Sequence, residues 1–126
     1  MKIEKRISPR VDVQLSAVIS VSENLRLTVV VANMSHNGVC VQCNTIARNL
    51  ITPGGCFIRG LHPLELGISL SVSEKDGDGR QMEALCQVIY SRRIAKDQCQ
   101  IGLQFKEMDT ESRDLLQEII DSVLLV

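Results

Sequence analysis

The sequence predicts a mainly β domain: about six antiparallel strands in a barrel or sandwich, followed by one C-terminal α-helix. Three observations carry this. Apolar residues alternate with a period of two in segment after segment. No amphipathic stretch of helix length separates one strand from the next, so parallel crossover units are not expected. Near the C-terminus the period changes once, to three-and-four spacing.

Residues 1–12 are polar and broken by Pro9, which also disfavours helical geometry at Ser8. They read as a flexible arm leading into a folded unit over 13–126. Val13, Leu15, Ala17, Ile19 and Val21 share one face of a first strand. After the turn formers of SEN, Leu25, Leu27, Val29 and Val31 resume the period and run into Asn33, so the two strands form a hairpin. NMSHNG breaks the pattern and VCVQC gives a short third strand. Residues 44–62 fit either a long loop or a small extra hairpin around the turn signal PGG. Leu64, Leu66, Ile68, Leu70 and Val72 then alternate, EKDGDG is a Gly/Asp turn, and Met82, Ala84, Cys86, Val88 and Tyr90 alternate again. SRRIAKDQ reads as a polar connection, and Ile101, Leu103 and Phe105 as the last strand. From about 108 to 125, Leu115, Leu116, Ile119, Ile120, Val123 and Leu124 mark an amphipathic helix. Asp109 or Thr110 serves as its N-cap, with Glu111 in the first turn.

Composition narrows the function. The chain has 126 residues, 44% of them apolar, enough for one domain with a real core. Fourteen Lys and Arg face fifteen Asp and Glu, a net charge of −1, so neither DNA nor RNA is an expected partner and any anion site must be local. With two Phe, one Tyr and no Trp, stacking platforms for single strands are not expected either. No signal peptide and no membrane span are predicted. Five cysteines, an odd number, fit reduced thiols in the cytoplasm better than a disulfide framework.

Two short motifs carry charge and turn chemistry. Arg6 and Arg10 form R-x-x-x-R; Asn33, Ser35 and Gly38 form N-x-S-x-x-G, with 22 residues between the two motifs. Guanidinium groups grip phosphate, or the O6/N7 edge of guanine, through two parallel bonds, and they lie flat on purine rings. Asn33 offers both a donor and acceptors. Ser35 can bond a ligand or brace the loop, and Gly38 permits a turn or a close backbone approach.

On these motifs, with PLELGISLSV and VIYSRR…IGLQF downstream, the sequence resembles the PilZ family, bacterial receptors for the second messenger cyclic di-GMP. The resemblance implies a six-stranded Greek-key barrel with a helix after it. It also implies a cyclic di-GMP site built from Arg6, Arg10, Asn33, Ser35 and Gly38, with the arginine arm wrapping the ligand against the barrel. Lys5, Arg92 and Arg93 are additional candidate contacts, Lys5 in a position that bears on ligand stoichiometry. Val39 stands where many members carry a second glycine, and the 43–62 interval is longer than usual. The function implied is a non-enzymatic receptor or adaptor whose change of conformation an unidentified downstream protein reads. The alternative is an adaptor in motility or surface-structure assembly that does not bind nucleotide.

No cofactor and no metal are expected. Cys40 and Cys43 form C-x-x-C near His36, Cys56 and His62, but there is no second such pair, and Cys40 and Cys86 sit at core positions of strands. No nucleophile–base arrangement and no phosphate-loop lysine are present, so an enzyme is not expected. The apolar C-terminal triplet makes a homodimer an expectation to test.

Overall fold

A computed structural model describes residues 10–72 and 79–125. The elements, in order, are β1 (Val11–Ser22), β2 (Leu25–Met34), β3 (Gly38–Cys43), α1 (Thr45–Ile51), β4 (Ile58–Arg59), β5 (His62–Pro63), β6 (Glu65–Val72), β7 (Arg80–Ala95), β8 (Gln98–Met108) and α2 (Thr110–Leu124). Six of the strands close a barrel in the order β1-β2-β3-β8-β7-β6, with every neighbouring pair antiparallel and β6 returning to β1. The run β6-β1-β2-β3 places the fourth strand of the chain's barrel beside the first, which is the Greek-key order. Closure leaves no unpaired strand edge among these six.

The inward faces form one core in which Ile19, Val31, Met34, Leu70, Met82 and Ile101 are almost wholly shielded. Each such side chain contributes roughly 1.5–3 kcal/mol on burial. Cys86 is buried in the same interior, and that environment pushes its thiol up to about 12.

The two ends of the barrel are closed differently. At the end where β3 finishes, the β3–β6 connection crosses as a plug. Asn44 caps α1 by accepting from Ala47 N at 2.8 Å. Asp97, with φ 56° in the β7–β8 turn, accepts from Thr45 N at 3.0 Å. Ile51 inserts into the core, and the buried Thr52 shares a 2.7 Å hydrogen bond with Ser91. A short β4–β5 hairpin completes the connection. The interval therefore contains a helix and a small hairpin, but PGG is a turn between the two (Pro53–Gly55), and the hairpin itself turns at Gly60 and Leu61.

Helix α2 covers the other end, near the starts of β1, β3 and β7. Leu115, Leu116 and Ile120 face the barrel. Ser112 Oγ accepts from Glu83 N at 2.9 Å. Asp109 is the N-cap, accepting from Ser112 N at 2.8 Å, and Arg80 bonds Glu118 at 2.7 Å.

These contacts make α2 acid-sensitive. The Ser112 backbone N–H holds the Asp109 carboxyl below its ordinary range, and the Arg80 guanidinium does the same for Glu118. Both folded values lie below the unfolded ones. Their contribution is therefore complete above about pH 5 and is lost as pH falls through the lowered folded values. Amide exchange between about pH 6 and pH 3 is expected to show 110–124 loosening before the barrel strands. Equal protection of α2 and barrel down to about pH 3 would contradict this.

Two boundaries differ from the sequence reading. β1 starts at Val11, inside the stretch read as arm. SRRIAKDQ is not a connection: β7 runs on to Ala95, pairing Arg92 with Gln100 and Arg93 with Cys99, so only Lys96 and Asp97 form the turn. The stretch rises beyond the core, where both faces of a strand meet water and alternation no longer signals it.

Candidate functional site

The turn between β2 and β3 is built by its own polar groups. Ser35 N donates to Gly38 O at 2.9 Å, and Asn37 N donates to Ser35 Oγ at 3.1 Å. The adjoining strand holds it too: Phe105 N donates to Asn37 O at 2.8 Å. Ser35 is buried, so of the two roles its position allows, bracing the loop is the one the hydrogen bonds display. Gly38 is needed for space rather than for an unusual φ: a Cβ there would stand 2.1 Å from Leu103 O of β8.

The pairing of β1 with β2 sets Val11 opposite Met34 and Asp12 opposite Asn33. Arg10 therefore emerges beside the end of β2. Its Nη1 donates to Asn33 Oδ1 at 2.6 Å, joining the two motifs across 23 residues of sequence. Arg10 is exposed, and its guanidinium has donors beyond the one spent on Asn33. Lys5 and Arg6 lie outside the described residues.

Arg10, Ser35 and Gly38 line a small cavity of about 80 Å³ on the outer barrel face, whose other walls include Tyr90, Gly102 and Gln104. A larger groove of about 410 Å³ lies over β1, β2, β6 and β7, but it contains none of the motif residues. Volume alone does not choose a site; convergent donors do.

Tyr90 is the residue the sequence pattern misplaced. Alternation puts it inward with Val88. The β7–β8 pairing instead shifts register between Val88, opposite Leu103, and Tyr90, opposite Gly102. Leu103 and Ile101 are core residues, so Gly102 and Tyr90 face outward. The Tyr90 ring lies where a side chain at Gly102 would be, since a Cβ there would meet ring atoms at 2.2–2.7 Å. Tyr90 OH donates to Cys40 Sγ at 3.3 Å, covering that thiol. Burial, then the Cys40 contact, push the phenol above its ordinary range, while Arg92 and Arg10 pull it back.

Arg92 is brought to this wall. Its guanidinium carbon sits 5.0 Å from the Tyr90 ring centroid, and its Nη2 donates to Gln100 Oε1 at 3.1 Å. Neither Arg92 nor Arg93 lines the cavity itself; Arg92 reaches it only through the Tyr90 ring. The remaining motif side chain, His36, turns the other way and bonds Gln117 of α2 at 2.5 Å; Gln117 in turn donates to Asp121 at 2.8 Å. The motif turn thus touches the C-terminal helix directly.

The C-x-x-C pair does not gather a metal set. Cys43 faces Cys99 across β3–β8, and burial first, then the neighbouring Cys99, push its thiol up to about 11. Among the described residues no group of three or more His, Cys, Asp or Glu side chains is placed to hold a metal ion.

The site has the chemistry of an anion cradle with a base-sized aromatic beside it: a guanidinium, an amide with both donor and acceptor, a braced turn and a cation-covered ring. Its relatives share the architecture. The Bacillus subtilis inhibitor of motility, MotI/DgrA, superposes with a TM-score of 0.72 at 20% identity; 99% of this chain is covered, and the chain spans about half of that protein, 54%. The PilZ domain of Escherichia coli YcgR, solved with c-di-GMP, gives a TM-score of 0.63 at 13% identity over 97% of this chain and 93% of that one. PlzA of Borreliella burgdorferi, in complex with c-di-GMP, gives 0.58 at 8% identity over 91% of this chain and 51% of that one. A search of curated protein sequences finds no match. The PilZ domain family model matches residues 4–122, and the chain belongs to the PilZ domain family.

Proposed function

We propose that this domain is a receptor for cyclic di-GMP that converts binding into a conformational change read by a partner protein. The observation that carries the reading is the Arg10–Asn33 hydrogen bond. It supports a single ligand site drawn from both motifs, where the β2–β3 turn meets the outer face of β3, β7 and β8. PilZ domains are binding and adaptor modules rather than catalytic ones, which agrees with a receptor that has no chemistry of its own. No helix among the described residues is long and apolar enough to cross a membrane. Free cysteines fit a protein working in the cytoplasm.

The ligand is a compact dianion with two guanines. Arg6 and Arg10 supply charge and the bidentate fork, Asn33 reads a guanine edge, and the Ser35–Gly38 turn offers a rigid floor. Four or five charge-assisted bonds at ~1.5–3 kcal/mol each give a gross ~6–15 kcal/mol, from which ordering the arm subtracts. A micromolar dissociation constant, about −8 kcal/mol, is within that range. A ligand that recruits both motifs gives a bound state distinct from the free one, a population shift that a partner can sense. The His36–Gln117 contact gives α2 a share in that change.

Calorimetric titration of the purified chain with cyclic di-GMP tests the reading. Saturable heat with a dissociation constant in the micromolar range or tighter is the expected outcome. No heat up to roughly tens of micromolar ligand defeats it. It would leave the adaptor reading, whose sign is capture of a motility or surface-assembly protein that is indifferent to nucleotide.

A further inference from the structure

The anion site accounts for the two motifs but not for the wall beside them. Tyr90 is turned outward by a register shift and set on a glycine that leaves room for its ring. Its hydroxyl is tied to Cys40, so the ring is fixed in orientation. The Arg92 guanidinium covers it from a strand position, held by a single hydrogen bond to Gln100. A fixed ring with a displaceable planar cation over it matches the needs of a purine. Aromatic rings stack on bases, and guanidinium planes stack on the same bases from the other side.

We propose that Tyr90 and Arg92 form a purine-stacking step next to the anion cradle. One guanine of the ligand packs on the Tyr90 ring in the place that Arg92 occupies in the free protein, and Arg92 moves onto the outer face of that base. This rests on the cyclic di-GMP reading and adds to it the residues that hold a base rather than a phosphate. The cavity of about 80 Å³ is too small to hold a base, so the base takes the place of Arg92 on the ring instead. Gln104 lines the cavity wall, and the displacement takes from Gln100 the Arg92 donor it accepts in the free protein. The proximity of Arg10 places the phosphate and base contacts on one continuous face.

Tyr90 is the only Tyr and there is no Trp, so the intrinsic emission of the protein reports on this ring alone. In a titration with cyclic di-GMP, that emission is expected to change with the same midpoint as the calorimetric isotherm. Tyr90→Phe, which keeps the ring, should bind within about three-fold of wild type. Tyr90→Leu and Arg92→Ala should each weaken binding by about ten-fold, within the range that one lost base stack removes. Arg93→Ala removes the same charge from the next position and should leave affinity within about two-fold. Calorimetric binding with unchanged tyrosine emission, or with Arg92→Ala and Arg93→Ala equally affected, overturns the stacking step and leaves the receptor reading standing. Absence of any calorimetric binding overturns the receptor reading itself. Should Tyr90→Leu fold poorly, the emission signal and the Arg92/Arg93 pair still decide.

Discussion

Gly38→Ala is expected to lower the melting temperature by about 12 °C and to abolish ligand binding. The new methyl would stand 2.1 Å from Leu103 O and 3.1 Å from Gln104 Cα, both backbone atoms of the paired strand. Neither can rotate away, so β3 must part from β8. Forcing a methyl group into a packed site costs about 3 kcal/mol at the upper end of the usual range, and a chain of this size loses roughly 4 °C per kcal/mol. The separation falls on the strand pair that holds the Asn37–Phe105 hydrogen bond, so the turn carrying Ser35 loses its floor as well. Gly67→Ala is the matched control. A Cβ at Gly67 would meet Ser20 Cβ at 3.6 Å and Ala84 O at 3.9 Å, ordinary contacts, and its melting temperature should stay within about 3 °C of wild type. Thermal unfolding followed by circular dichroism compares the two. Equal melting temperatures would mean that the third motif position is a binding residue only, without a part in the barrel.

The contrast between these glycines shows what the sequence made legible. Gly38 stood out because it closes a six-residue motif; that its role is close approach was visible only once Leu103, 65 positions later, was seen across from it. The barrel strands were legible wherever one face is dry. Alternation identifies β6 and the first half of β7 because Leu66, Ile68, Leu70, Met82, Ala84 and Cys86 each have polar or exposed neighbours. It fails past Val88, where one extra residue inverts the phase and the strand then rises into solvent. Helix α1 escaped for a different reason. It has seven residues, of which only Ile51 is buried, so no apolar stripe forms; the Asn44 cap was its one local mark.

The site was legible to the extent that it is local. Asn33, Ser35 and Gly38 lie within six residues, and Arg10 reaches them because β1 and β2 form a hairpin, although a register shift between Asp12 and Leu15, which alternation does not announce, sets the pairing at that end. Tyr90, Gly102, Gln104 and Gln117 come from β7, β8 and α2. The stretches VIYSRR and IGLQF contribute to the family resemblance, but nothing in them marks Tyr90, Gly102 or Gln104 as site residues rather than barrel residues. The non-local pairing of β8 with β3, and of β7 with β8, brings Tyr90, Gly102 and Gln104 to the motifs, and the packing of α2 on the barrel end brings Gln117. Arg92 had a signal, a doublet of arginines, but which of the two faces the site depends on the same register shift that turns Tyr90 outward.

Arg10→Ala is expected to weaken cyclic di-GMP binding by at least ten-fold while leaving the melting temperature within about 2 °C of wild type. The side chain is exposed at the start of β1 and packs into no core, so its removal costs the fold little. What it loses is one or two charge-assisted bonds to the ligand, ~1.5–3 kcal/mol each, together with the hydrogen bond that fixes the Asn33 amide at 2.6 Å. Asn33 is then free to turn, and a guanine edge meets an amide that must be ordered on binding. Arg10→Lys separates charge from geometry. An ammonium restores the long-range attraction to a dianion but not the planar fork, and on its shorter stem it can offer Asn33 at most a single point contact. Its affinity should fall between wild type and Arg10→Ala, with the loss in salt dependence smaller than for Ala because the charge is kept. Calorimetry of the three proteins at low and physiological ionic strength measures both effects. Affinity for Arg10→Ala within two-fold of wild type would remove the guanidinium from the site. Full rescue by lysine would show that charge alone acts there, and that the Arg10–Asn33 hydrogen bond has no part in holding the nucleotide.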